Sequence, residues 1–182
     1  MRDQLNNIIA EAEIDRGLTM PRIGTGHAQC RGGIFSLLQD PGSEHTAGSG
    51  AEISRVVDIC NDDPTARYCR DLFERIGIPK SVVTPWNAYG AYGEKPGMKA
   101  ISENLPLCQR LVDAAGPAAI IAQGREAQKM ADRLRFDGPV FRVPHPSRRG
   151  RASYKGAAKD IETAFEEALR ICTSCTEICR VK

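Results

Sequence analysis

The sequence predicts an α/β fold, a three-layer α/β/α sandwich around a central four-stranded parallel sheet. Two observations carry the prediction. Short apolar runs alternate four times with longer segments of helical periodicity, and each run stops at Gly, Pro or Asp. Neighbouring parallel strands need crossover connections, so this alternation places helices on both faces of the sheet. A chain of 182 residues suffices for one domain with a substantial core. The expected organisation is therefore a single domain over 1–182, with an N-terminal helix over 1–16, a core over about 33–150 and a C-terminal helix over about 154–179.

Each element has a local signal. Leu5, Ile8, Ile9 and Ala12 share one face of an amphipathic N-terminal helix. The run 33–39 is an apolar strand ended by Asp40-Pro41-Gly42, and 42–50 reads as a long Gly/Ser/His-rich loop. Asp62 or Asp63 can cap a helix that has Pro64 at its first position, a stripe of Cys69, Leu72, Phe73 and Ile76, and Gly77 as its stop. A strand at 81–87 is expected to end near Pro85. A glycine- and tyrosine-rich loop follows, then a helix from about Ser102 to Ala115, a strand at 118–123 and a helix from Gly124 to about Leu134. The last strand, 139–143, runs into Pro144-His145-Pro146-Ser147 before the C-terminal helix.

Composition narrows the function. With 41% hydrophobic and 26% charged residues and no apolar run of membrane-spanning length, the chain reads as a cytoplasmic globular protein with no membrane partner. Its seven cysteines lack the spacing of a disulfide framework or a four-ligand metal site. Cys172, Cys175 and Cys179 follow one helical stripe with Ala168 and Ile171, and three thiols without a fourth ligand make no complete cluster. No metal and no cofactor are expected. The net charge of +2 is unevenly divided: Arg142, Arg148, Arg149, Arg151, Lys155 and Lys159 fall between Gly138 and Lys159 without an acidic residue. Such a patch is a solvated surface or a phosphate-binding footprint.

In a parallel sheet, ligands bind beyond the carboxyl ends of the strands. The polar residues expected there are Gln39 and Asp40, Asn87, Gln123, and His145 with Ser147. Three of these segments resemble motifs of the uracil-DNA glycosylase superfamily. Gln39-Asp40-Pro41 looks like its water-activating motif, Trp86-Asn87-Ala88 like its base-reading asparagine, and His145-Pro146-Ser147 like its DNA-intercalation loop. The similarity spans about Ile34 to Gly150, and the order of the motifs at predicted strand ends is more specific than any one of them.

The resemblance implies a monomeric, monofunctional DNA N-glycosylase that flips a pyrimidine nucleotide and hydrolyses its N-glycosidic bond, as in base excision repair. Charge develops positively on the sugar and negatively on the departing base. Asp40 then faces the sugar cation and orients water, and His145 donates to the base carbonyl. Asn87 pairs with the edge of the base, and Gln39, Gly42 and Ile53 complete its pocket. Ser147, Arg148, Arg149, Arg151 and Lys155 contact DNA, with Arg149 and Arg148 as the wedge and Arg151 and Lys155 on phosphates.

Departures from the pattern place the chain in a non-classical branch. Gly42 stands where classical uracil enzymes carry a tyrosine that blocks the methyl of thymine, so the pocket is expected to be more open. Ile53 stands near the place of a stacking aromatic, and Arg148 and Arg149 stand where a leucine wedge is usual, as in the thymine-DNA glycosylase branch. Cys108 matches one ligand of the iron-sulfur branch, but the N-terminal cysteine pair of that branch is missing. Each site residue also has a structural alternative: Asp40-Pro41-Gly42 as a turn, Asn87 as a loop residue bonded to its own backbone, and His145 as a surface histidine. Asp63-Pro64 is a second Asp-Pro whose helix-capping role accounts for it. Three other readings stay open: a glycosylase for a bulky modified pyrimidine such as those of phage DNA, a non-catalytic DNA-binding relative, and an unrelated nucleotide-binding protein. The last lacks any Gly-x-Gly-x-x-Gly or Walker loop.

Overall fold

The computed structural model describes residues 1–39, 55–95 and 97–172. Helix α1 (Arg2–Arg16) leads to a two-residue strand β1 (Arg22–Ile23), then to β2 (Ile34–Leu38). Strand β3 (Val56–Val57) and helix α2 (Pro64–Ile76) precede β4 (Val83–Asn87) and α3 (Met98–Ala115). The chain continues through β5 (Ala119–Gln123), α4 (Arg125–Ala131), β6 (Val140–Val143), α5 (Arg148–Arg151) and α6 (Ala157–Ile171). The main sheet has the order β4-β2-β5-β6 with every pairing parallel, so the expected four-stranded α/β architecture is the observed one.

Strand alternation assigns each residue to a face. Phe35, Leu37, Trp86, Ile120 and Ala122 point to one side, where α1, α3 and α4 bury Leu5, Ile9, Ile101, Leu111 and Met130 against them. Ile34, Val83, Ala119 and Ile121 point to the other side, against Leu72 and Phe73 of α2 and Ile161 and Phe165 of α6. Phe73 and Phe165 meet edge to face at 5.0 Å, which locks the two helices of that layer together.

Local signals set most boundaries. Asp63 accepts hydrogen bonds from the Thr65 and Ala66 N–H groups, Pro64 occupies the first turn, and Gly77 ends α2 in the left-handed region at φ 73°. Other elements depart from expectation. Strand β4 starts at Val83, after a short 3-10 turn over Lys80–Val82, and runs past Pro85 to Asn87. It can do so because β4 is an edge strand. Helix α3 begins at Met98, since the Ser102 hydroxyl donates to the Met98 carbonyl and so lies inside the helix. Helix α4 is shorter than expected because Arg133 and Leu134 continue it with i→i−3 bonds to Met130 and Ala131. Helix α6 spans only Ala157–Ile171; the expected extension to Cys179, with Cys175, lies outside the described residues. The pair β1–β3 and the helix α5 are additions to the expected elements, too short to show a periodicity of their own.

Candidate active site

The carboxyl ends of the strands border a cleft of about 1100 Å³. Its floor is Ser36, Leu38, Gln39, Pro85 and Asn87, on the sheet face that α2 covers. One wall is Ala66, Cys69 and Phe73 of α2 together with the segment 56–63, and the other is the turn between β6 and α5, with His145, Ser147 and Arg149. Three separate strands thus deliver Gln39, Asn87 and His145 to one space. Cys69 contributes only apolar surface, because burial pushes its thiol up to about 12.

Asn87 is 1% exposed, and its Nδ2 has no hydrogen-bond partner among the described residues. Its position follows from the strand: Trp86 is buried on the far face, so alternation turns Asn87 to the cleft. The Ala88 and Tyr89 N–H groups donate to the Leu38 and Gln39 carbonyls at 2.8 and 2.9 Å, which extends the ladder beyond β4 and holds Gln39 beside Asn87. Buried amides are ordinarily hydrogen-bonded, and an unmet buried donor costs about 1–3 kcal/mol. Asn87 Nδ2 is thus an unmet donor at the edge of the cleft among the described residues.

His145 follows β6 by two residues. The Ser147 backbone N–H donates to His145 Nδ1 at 3.1 Å, so in the neutral ring the proton resides on Nε2. The imidazole is therefore arranged as a donor through Nε2. Ser147 also caps α5 by accepting from the Gly150 N–H at 3.3 Å. Glycine is required at Gly150, where a Cβ would lie 2.0 Å from the His145 carbonyl oxygen. Gly124, at φ 87°, sits on the other side of the histidine; a Cβ there would come within 3.1 Å of the His145 Cβ.

The cations of the expected patch separate into two kinds. Arg148, Arg149 and Lys155 are exposed, and Arg149 lines the cleft. Arg151 is partly buried, with its guanidinium 4.3 Å from the centre of the Tyr68 ring and its Nε buried without a hydrogen-bond partner among the described residues. It ties α5 to α2 by a cation–π contact. Opposite this basic turn, Asp58, Asp62 and Asp63 line the other rim. Burial opposes ionisation of Asp58, but His27, the Lys80 ammonium and the Cys60 N–H together hold its carboxyl well below the usual carboxylate range. Lys80 Nζ lies 2.8 Å from Asp58 Oδ1, and the fully buried His27 has Nε2 3.4 Å from the same oxygen.

The cleft thus gathers Gln39, Asn87, His145, Ser147 and Arg149. Arg148 and Lys155 are exposed near it, and Asp40, Gly42 and Ile53 lie outside the described residues. Reasoning from the sequence does not single out Ser36, Tyr92, Tyr154, Gly150 or Asp58. The last three have no local signal at all. Ser36 can be found as the one polar residue inside the apolar run of β2, and Tyr92 as an aromatic in a glycine-rich loop after a strand end. Tyr92 and Tyr154 bring aromatic surface to a cleft in which Ile53 was the expected substitute for a stacking aromatic.

No known protein-family profile matches the chain. No curated protein sequence matches it either. Solved structures do, among them a crystal structure of mimivirus UNG in complex with UGI, with 16% sequence identity and a TM-score of 0.44. The match covers 80% of this chain and 64% of that one.

Proposed function

We propose that this chain is a DNA glycosylase that takes a flipped pyrimidine into the cleft and hydrolyses its N-glycosidic bond. The observation that carries the reading is the buried Asn87 Nδ2, without a partner among the described residues, at a strand end lining the same cleft as His145. A base carbonyl meets that donor, and the negative charge growing on the departing base is stabilised on its far side by the Nε2–H of His145. One preorganised donor of this kind contributes about 2.7–4 kcal/mol to a transition state. Asp40, next in the chain to Gln39, orients water and offsets positive charge on the sugar. No acid is needed beyond the imidazole, since the departing base leaves as a stabilised anion.

The exposed cations suit the backbone of DNA. Arg149, which lines the cleft, serves with Arg148 as the wedge that props the vacated stack, while Lys155 contacts phosphates. Arg151 contributes by fixing α5 through Tyr68, so its effect on DNA is indirect. The chain works as a monomer and as one unit over 1–182.

The experiment is incubation with oligonucleotides that carry single uracils, mismatches or modified pyrimidines, followed by cleavage of abasic sites in alkali. Breaks at one class of base are expected with the parent protein and with Asp63→Asn, and their near-complete loss with Asp40→Asn. Binding of DNA by Asp40→Asn should persist. Absence of abasic sites on every substrate, with DNA binding intact, overturns the reading in favour of a binding protein.

A further inference from the structure

A second buried amide shares the peculiarity of Asn87. Gln123, the last residue of β5, is 0% exposed, and its Oε1 has no hydrogen-bond partner among the described residues. Its Nε2 donates to Ser36 Oγ at 2.7 Å, and Ser36 forms part of the cleft floor. Gly124, the next residue, also lines the cleft. Gln123 therefore lies directly beneath the cleft floor, next to two residues that line it, and on the face that bears the site, since Gln123 pairs in register with Val143 of that same face.

Register places the two amides on one row. Leu38 is opposite Asn87, and Leu37 is opposite Ala122, so Leu38 and Gln123 are level. The row across the sheet thus reads amide, leucine, amide. Its ends are two strand spacings apart, roughly 10 Å between Cα atoms. The two unmet atoms have opposite character: Asn87 Nδ2 is a donor and Gln123 Oε1 is an acceptor. A ligand lying over Leu38 meets a donor on the β4 side and an acceptor on the β5 side.

The bond to Ser36 adds direction. By donating to Ser36 Oγ, the Gln123 amide occupies a lone pair of the hydroxyl and holds its own oxygen turned away from the serine. A glutamine kept only for the fold would satisfy both ends of its amide, whereas Gln123 leaves its acceptor unmet among the described residues.

We propose that Gln123, steadied by Ser36, is a second specificity-determining residue of the cleft. Its Oε1 accepts from an N–H or O–H group of the bound base, on the side opposite the carbonyl that Asn87 recognises. The substrate class is accordingly a pyrimidine whose exocyclic group on that side is an amino or hydroxyl donor, rather than a carbonyl or a methyl. The proposal deepens the glycosylase reading, and it rests on that reading for the identity of the ligand as a base.

The test is calorimetric titration of the parent protein, Gln123→Met and Ser36→Ala with two matched pairs of free nucleosides, deoxycytidine against deoxyuridine and hydroxymethyldeoxyuridine against thymidine. Deoxycytidine carries an exocyclic amino donor where deoxyuridine has a carbonyl and an added N3–H, and hydroxymethyldeoxyuridine carries a hydroxyl donor where thymidine, with the same N3–H, has a methyl. The parent should prefer the donor-bearing member of at least one pair by on the order of tenfold, the usual effect of a buried group left unpaired. Gln123→Met should reduce that preference to within about twofold, and Ser36→Ala should weaken it in the same direction. Thermal melting without ligand should show Gln123→Met no less stable than the parent, an outcome that a purely structural glutamine would not give. Abasic-site release is measured on the same proteins. Its absence alongside a glutamine-dependent preference removes the glycosylase reading and leaves the recognition role intact. Equal binding within both pairs by the parent, or an unchanged preference in a folded Gln123→Met, overturns the proposal.

Discussion

The two faces of the main sheet are built from the same strands, yet they differ at the carboxyl ends. On the face under α1, α3 and α4, the rows are sealed by Phe35, Leu37, Trp86, Ile120 and Ala122, all buried and apolar. On the face under α2 and α6, the lower rows are equally apolar, with Ile34, Val83, Ala119 and Ile121, but the upper rows turn to Ser36, Asn87 and Gln123. Two of those three carry unmet polar atoms. Cores avoid such atoms because each costs stability, so within the sheet their confinement to half of one face separates the part that holds the fold from the part proposed to meet a ligand.

Mutations on the two faces should therefore separate stability from activity. Phe35→Ala removes a fully buried ring from the sealed face and should lower stability by about 3–5 kcal/mol. Denaturant unfolding reads this directly, and the base preference of whatever remains folded should be unchanged. A loss under about 1 kcal/mol would show that the sealed face is not the stabilising half.

Asn87→Ala on the open face should do the reverse. Turnover on the true base should fall by about 2.7–4 kcal/mol in transition-state terms, roughly a hundredfold or more. The melting temperature should stay level or rise, since an unmet buried donor is removed. A matching loss of stability would erase the contrast between the faces.

Asp58 tests how the open face keeps its shape. Its carboxylate joins the segment after β3 to Lys80 and to His27, so Asp58→Asn should cost about 1–3 kcal/mol at neutral pH. The sign with pH follows from the lowered value. A carboxyl held below its ordinary 3.8 contributes fully above that value and loses its contribution as pH falls further. Parent and variant stabilities should converge on acidification below about pH 4; curves that stay parallel would assign the loss to packing instead.

The smallest effect on stability is expected at the rim. Lys155→Ala should alter stability by less than about 0.5 kcal/mol while reducing the salt slope of DNA binding by about one unit. Arg151→Ala should act oppositely, loosening α5 from Tyr68 with a salt slope close to the parent's. Identical behaviour of the two would show that the cations act as one undivided patch.

Much of this architecture is legible in the sequence by itself. The alternation of strands and helices, the cap at Asp63 with Pro64 and the stop at Gly77 are properties of a few adjacent residues. Local periodicity and backbone preference suffice to read them. The strand-end rule likewise singles out Asn87 and His145, because the carboxyl end of a strand can be located from its turn. Other features require contacts between distant parts of the chain. The stacking of Arg151 on Tyr68 and the hold of Lys80 and His27 on Asp58 join segments with no shared pattern. The order β4-β2-β5-β6 decides that Asn87 and Gln123 flank Leu38. Strand order and register arise from the hydrogen-bond ladder and from packing of whole layers, and these bring together residues whose sequence neighbours carry no trace of the encounter.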